Sequence, residues 1–201
     1  MAIDRNKIIE EMSQVSIVPD ENGIMEGFNV LVTQLPTTFW NSFAERLTSK
    51  TSADMLEAKE YLLYNAAHEC GYHTGYGIIT SDEWNAIVKP MLEKVPEDIL
   101  HGAFGVFTAW GWADSEIVEL VPGEKMVVRA YDYYESDVVD FGCSKKMSAY
   151  MIAGVSAAFM ELAYAGEYDS KGKAVGTFEC KQVKGIECGD SYAEFVVTKA
   201  K

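Results

Sequence analysis

Tyr64, His68 and Tyr72 recur every four residues. On a helix of about 3.6 residues per turn they share one face. Such a face can wall a pocket with rings while the imidazole hydrogen-bonds a ligand hydroxyl or carbonyl. The competing reading is an ordinary helix histidine with a partner inside the fold. The same stretch reads His68-Glu69-Cys70-x-x-His73 and invites a metal. His68 and Cys70 point about 200° apart on a helix and do not share an ion. Glu69 and His73 do share a face, but a lone pair is not a metal site. Phe107, Trp110 and Trp112 form a second aromatic group, suited to a planar hydrophobic ligand or to filling a core. Arg129 near Tyr131 could hold an anion against a ring, or simply stack on the surface.

Catalytic signatures are missing. There is no Gly-x-Ser-x-Gly elbow, phosphate loop or His-Glu-x-x-His pair. Three histidines, His68, His73 and His101, leave few bases for a hydrolytic triad. Cys70 and Cys143 sit in no recognisable activating context. No catalytic residue is assigned, and binding is the expected chemistry.

The elements that must position these residues follow from hydrophobic period. Residues 3–12 predict a short helix, and residues 24–25 and 28–32 a small hairpin. Thr37 or Thr38 can cap a helix whose stripe, Phe39, Phe43 and Leu47, with Trp40 beside it, reads as core. The longest helix is expected over 52–79, with Leu63, Ala67, Gly71 and Gly75 forming a ridge of mostly small residues. Ser81 opens another helix, with Ile87, Val88 and Met91 inward, and Pro96 resets the chain at a further helix N-terminus. Residues 99–103 continue helically or turn, and 104–112, rich in aromatics and glycine, read as a kinked strand. Strands at 115–121 and 125–134 flank Pro122-Gly123 as an antiparallel hairpin. On the second of these, Met126, Val128 and Ala130 face one way, and Val127, Arg129, Tyr131 and Tyr133 the other. A helix over 145–164 presents Ala149, Ala153 and Ala157, with Gly154 and Ala158 beside them, as the partner of the first ridge. Strands at 175–183 and 191–198 complete the chain.

The 201 residues are 48% hydrophobic, enough for one compact unit with a substantial core. A net charge of −14 argues against binding a nucleic-acid backbone. No apolar run approaches the roughly 18 residues of a membrane span, and the N-terminus lacks a signal-peptide core. A cytoplasmic protein is expected. Four scattered cysteines do not form a disulfide framework.

The C-terminal third carries a resemblance. The stretch 150–154, the hairpin, and Gly189-Asp190-x-Tyr192-x-Glu194-Phe195-x-Val197 resemble the 4-vinyl reductase domain. That domain also forms the sensory half of phenol-responsive transcription activators and is similar in fold to vesicle-tethering subunits. The resemblance spans roughly 58–197. It implies an α+β fold, with helices packed on one face of an antiparallel sheet. Residues 52–201 would be the ligand-binding domain and 1–51 an accessory or dimerising segment. Many such domains hold zinc through a Cys before the helix glycine and Glu-x-x-Cys-x7-Cys in the hairpin. Those positions fall here on Ala149, Gln182, Gly185 and Ala193, which implies a metal-free branch. Cys143, Cys180 and Cys188 are the alternative zinc ligands, since Cys180 and Cys188 keep the spacing of the family pair in shifted register.

The leading expectation is a pocket between helices and sheet for a hydrophobic or aromatic small molecule. Its candidate residues are Tyr64, His68, Tyr72, Phe107, Trp110, Trp112, Arg129, Tyr131, Tyr134 and Phe159. A second reading is an enzyme or accessory subunit acting on a hydrophobic substrate such as a tetrapyrrole, with electrons supplied by a partner. A third is a non-catalytic interaction subunit, and the resemblance implies a homodimer.

Overall fold

The computed structural model describes residues 3–136, 142 and 146–201. Six helices occur among them: α1 (Arg5–Met12), α2 (Thr37–Thr48), α3 (Ala53–Thr80), α4 (Asp82–Ile87), α5 (Glu97–Ala109) and α6 (Tyr150–Tyr164). The strands are β1 (Met25–Gly27), β2 (Val30–Val32), β3 (Ala113–Val121), β4 (Lys125–Tyr133), β5 (Phe178–Lys184) and β6 (Ala193–Lys199). The fold is α+β. β1 and β2 pair alone, and the other four form an antiparallel sheet in the order β3-β4-β6-β5. No helix among the described residues is long and apolar enough to cross a membrane.

Period-two alternation gives the sheet its buried face: Met126, Val128 and Ala130 on β4, Ala193, Phe195 and Val197 on β6, Phe178 and Cys180 on β5. α6 packs on β5 and β6, α5 packs on β3, and α3 lies along α6. Tyr64 of α3 reaches the outer edge of β5, where its hydroxyl accepts a hydrogen bond from the Cys180 N–H at 3.0 Å. That contact covers part of an otherwise unpaired strand edge. The N-terminal segment joins the same core through Ile8, Met12 and Phe28.

Several elements differ from the sequence reading. Residues 104–109 are the end of α5, not a kinked strand. Gly102 and Gly105 give α5 a close approach to its neighbours: a Cβ on them would lie 2.6 Å from Val88 and 2.9 Å from Ile8. The helix stops in a Schellman motif. Gly111 sits at φ +73°, its N–H bonds Thr108 O at 2.9 Å, and the Trp112 N–H bonds Phe107 O at 3.2 Å. On β4, Tyr133 points inward with Ala130, not outward. The register steps from Ala130 opposite Ser115 to Asp132 opposite Asp114, leaving Tyr131 as a bulged extra residue.

The ridges of α3 and α6 also meet one row away from the expectation. A Cβ on Gly71 would lie 2.8 Å from Val155 Cα and 3.1 Å from Ala158. Gly154 lies against Ala67 and the α3 backbone, so the row facing α3 runs through Gly154 and Ala158. The stripe on α2 is not core: Phe39 and Phe43 are 50% and 46% exposed, and no residue of α2 is fully buried. α6 begins at Tyr150; the expected start at 145 lies outside the described residues.

Candidate functional site

A cavity lies where α3, the end of α5 and α6 converge. Cys70, Gly71, Thr74, Gly75 and Ile78 of α3 line one side. Phe107, Trp110, Trp112, Val155 and Phe159 line the other. The glycines make the space, because a side chain on Gly75 would meet Leu162 and Phe159 at 2.7 and 3.0 Å. The Schellman turn aims Trp110 and Trp112 at the same space from either side of exposed Gly111. Phe107 packs against Trp112 at 5.3 Å between ring centroids and edge-on to Phe159 at 6.1 Å. Cys70 and Thr74 are the polar lining residues, and Cys70 Sγ lies 3.8 Å from Thr74 Oγ1. About 20 Å³ is open to the centre of a water molecule. That is room for about one water, so an aromatic ring enters only if side chains move.

Four of the ten residues singled out by sequence line this cavity: Phe107, Trp110, Trp112 and Phe159. Tyr134 stands behind them, edge-on to Trp112 at 6.1 Å. Tyr64, His68 and Tyr72 occupy a different face of α3 and engage, in turn, β5, Glu161 of α6 and the chain between them. His68 Nε2 lies 2.8 Å from Glu161 Oε2, with both side chains buried. Glu161 Oε1 accepts from the Gly176 and Phe178 N–H groups at 2.7 and 3.2 Å. The Tyr72 hydroxyl accepts from the Asp169 N–H at 3.2 Å. Arg129 and Tyr131 are on the outer face of the sheet. Arg129 pairs with Glu194 at 2.9 Å and lies over the Tyr192 ring, and Tyr131 donates to Glu116 at 2.6 Å.

Cys70, Gly71, Thr74, Gly75, Ile78 and Val155 were not chosen from the sequence. Gly71 and Gly75 belong to the small-residue ridge, whose interior glycines either close packing or a nearby ligand explains.

A second polar cluster holds the N-terminus of α6. Four of its free N–H groups are met by side chains: Ser148 by Glu187 at 3.0 Å, Ala149 by Gln182 at 3.1 Å, and Met151 and Ile152 by Glu135 at 3.0 and 3.1 Å. Tyr133 donates to Glu187 and accepts from the Ile186 N–H at 3.1 Å. Burial, then the bond to Glu187, pushes the Tyr133 phenol up.

Three of the positions aligned with zinc ligands, Ala149, Gln182 and Gly185, meet in this cluster. Gly185 leaves room for its neighbours: a Cβ there would lie 2.7 Å from both Gln182 Nε2 and Glu187 Oε2. Ala193 is buried opposite Ala130 on β4. An amide, a glycine and two alanines do not fit zinc, which takes thiolate, imidazole or carboxylate. Of the alternative set, Cys143 lies outside the described residues. Cys180 is buried on β5, and burial pushes its thiol well up. Cys188 is half-buried in the turn before β6.

Burial pushes the Glu135 carboxyl up to about 8, opposed by its bonds from the α6 N–H groups. The buried Trp40 indole N–H lies nearby and favours the carboxylate, though it falls short of hydrogen-bond geometry. Because the folded state holds this proton more tightly than the unfolded state, its contribution to stability is fully present below about pH 4.5. It is lost as pH rises from there to about 8. Glu135→Gln is expected to flatten the fall in stability over that window, checked by urea unfolding at several pH values. An unchanged slope would show that Glu135 ionises as readily folded as unfolded.

No family model matches the chain, and no curated protein matches it. Among solved structures, the phenol-responsive sensory domain of the transcription activator PoxR, crystallised with phenol, superposes with a TM-score of 0.69. It is 11% identical, and the match covers 99% of this chain and 92% of that one. A vinyl-4-reductase family protein from Methanocaldococcus jannaschii matches at TM-score 0.49 and 14% identity over 98% and 92% of the two chains. A trafficking protein particle complex subunit 3 from Naegleria fowleri, covalently bound to palmitic acid, matches at 0.47 and 16% over 82% and 95%. The chain therefore shares its α+β fold with the PoxR phenol-responsive sensory domain, as the resemblance implied.

Proposed function

We propose that this chain binds a small aromatic molecule in the cavity beneath Trp110 and Trp112. The observation that carries the reading is the convergence of Phe107, Trp110, Trp112 and Phe159 on the glycine-bearing face of α3. Shared fold with a domain crystallised with phenol supports it. Affinity comes from apolar burial, at about 25 cal/mol per Å². The test is thermal and urea unfolding with toluene, indole, phenol and benzoate, together with alkylation of Cys70 read by peptide mass spectrometry. A neutral ring at a hundredfold its Kd is expected to add about 2.7 kcal/mol of stability. It should also slow labelling of Cys70, an exposed thiol in the cavity lining. Unchanged unfolding and unchanged labelling with all four compounds overturn the reading.

A second reading, an interaction subunit that pairs with its own copy, is favoured by α2. Phe39 and Phe43 lie parallel on its exposed side, 6.5 Å apart. A net charge of −14 opposes association of copies in general, and an exposed uncharged aromatic stripe is where apolar burial can offset it. Light scattering over a concentration series should then show a dimer that Phe43→Glu reduces to a monomer. A wild-type monomer at every concentration ends this reading.

A further inference from the structure

Phe28 breaks the local rule for its position. It is the first residue of the two-residue turn joining β1 to β2, and both turn residues are left-handed, Phe28 at φ 54° and Asn29 at φ 57°. Turns of this type favour Asn, Asp or Gly, because a bulky side chain is strained there. The Phe28 ring nevertheless points inward, 1% exposed, and meets Trp110 edge-on with 4.4 Å between centroids. Gly77 of α3 lets the hairpin seat closely: a Cβ there would lie 2.5 Å from Val30 and 2.8 Å from Phe28 O. Trp110 thus touches Phe28 and also lines the cavity. A ring in the cavity needs its lining to move, and Phe28 restrains the Trp110 indole.

Resting on the proposed binding site, we infer that Phe28 is a positioning residue that limits the size of ligand the cavity accepts, by holding Trp110 over it. The departure from turn preference at Phe28 is offset by the buried contact of its ring with Trp110, which ties the hairpin to the cavity lining. The segment that carries Phe28 precedes the domain expected to bind ligand, so size selection would be supplied from outside it.

The experiment compares wild type, Phe28→Leu and Phe28→Ala in the full chain. The probes are toluene and naphthalene, one ring and two, with Kd measured by calorimetry and folding checked by circular dichroism. Phe28→Ala is expected to improve naphthalene affinity relative to toluene at least tenfold, with Phe28→Leu between. A residue that only stabilises the fold would weaken both probes alike and leave their ratio unchanged. Should Phe28→Ala not fold, the ratio in Phe28→Leu decides, because leucine keeps the site apolar. Binding of either probe with an unchanged ratio overturns this inference and leaves the binding site standing. Failure of both probes to bind any of the three proteins overturns the binding site and this inference together. Naphthalene binding by a variant and not by wild type supports it.

Discussion

Glu161→Ala is expected to lower the unfolding free energy by about 3–5 kcal/mol, the cost of removing one partner from a buried pair. The side chain is completely buried, and its two oxygens serve three partners on two elements. Oε2 meets His68 of α3, and Oε1 accepts from Gly176 and Phe178 where the chain enters β5. Alanine leaves the His68 imidazole and the Phe178 N–H buried without that acceptor, each a desolvation loss of about 1–3 kcal/mol, while the N–H of exposed Gly176 can turn to water. Glu161→Gln keeps one acceptor oxygen and should lose less. Urea unfolding at constant m gives the number, and hydrogen exchange should localise the loss to residues 166–178. A change below about 1 kcal/mol would mean that water reaches these groups.

The network around Glu161 marks the boundary of what sequence carried. Regular elements were legible wherever a period ran long enough: the 28-residue α3, the β3–β4 hairpin and the C-terminal strands lie close to where alternation put them. The face of a periodic helix was legible too, but not what packs on it. Tyr64, His68 and Tyr72 share a face of α3 as the period implies, yet their neighbours are β5, Glu161 of α6 and the loop between, which period cannot reveal. Glu161 did leave a trace, a lone charge inside Ala-Phe-Met-Glu-Leu-Ala, where burial requires partners. Residues 104–109 misled because glycine and aromatics suit a kinked strand as well as a helix packed closely on its neighbours. Tyr133 misled because one bulge at Tyr131 shifts the phase of everything after it. The aromatic half of the cavity was readable from residue type. The glycine half left close packing and a nearby ligand open, since whether a ridge packs fully or leaves space depends on the partner.

Gly154→Ala and Gly75→Ala separate these two uses of glycine along one helix pair. A Cβ at Gly154 would lie 2.6 Å from the His68 N, 2.7 Å from Ala67 Cβ and 2.8 Å from the Tyr64 O. All three belong to the backbone or Cβ positions of α3, so only separation of the helices relieves the contact. Overpacking of this kind costs about 1–3 kcal/mol and occasionally more. Alanine's better helix propensity returns about 1 kcal/mol. A net loss of about 2 kcal/mol is expected for Gly154→Ala. At Gly75 the atoms in the way are Leu162 Cδ1 and the edge of the Phe159 ring, which can turn, and the new methyl enters the cavity. Gly75→Ala should therefore stay within about 1 kcal/mol of wild type while weakening any ring bound beneath Trp110. Denaturant unfolding of the two variants, with toluene titrated into each, reads both effects. Equal stability losses would mean that α3 and α6 slide past each other freely, and a cavity bounded by their spacing would then have no fixed size to select with.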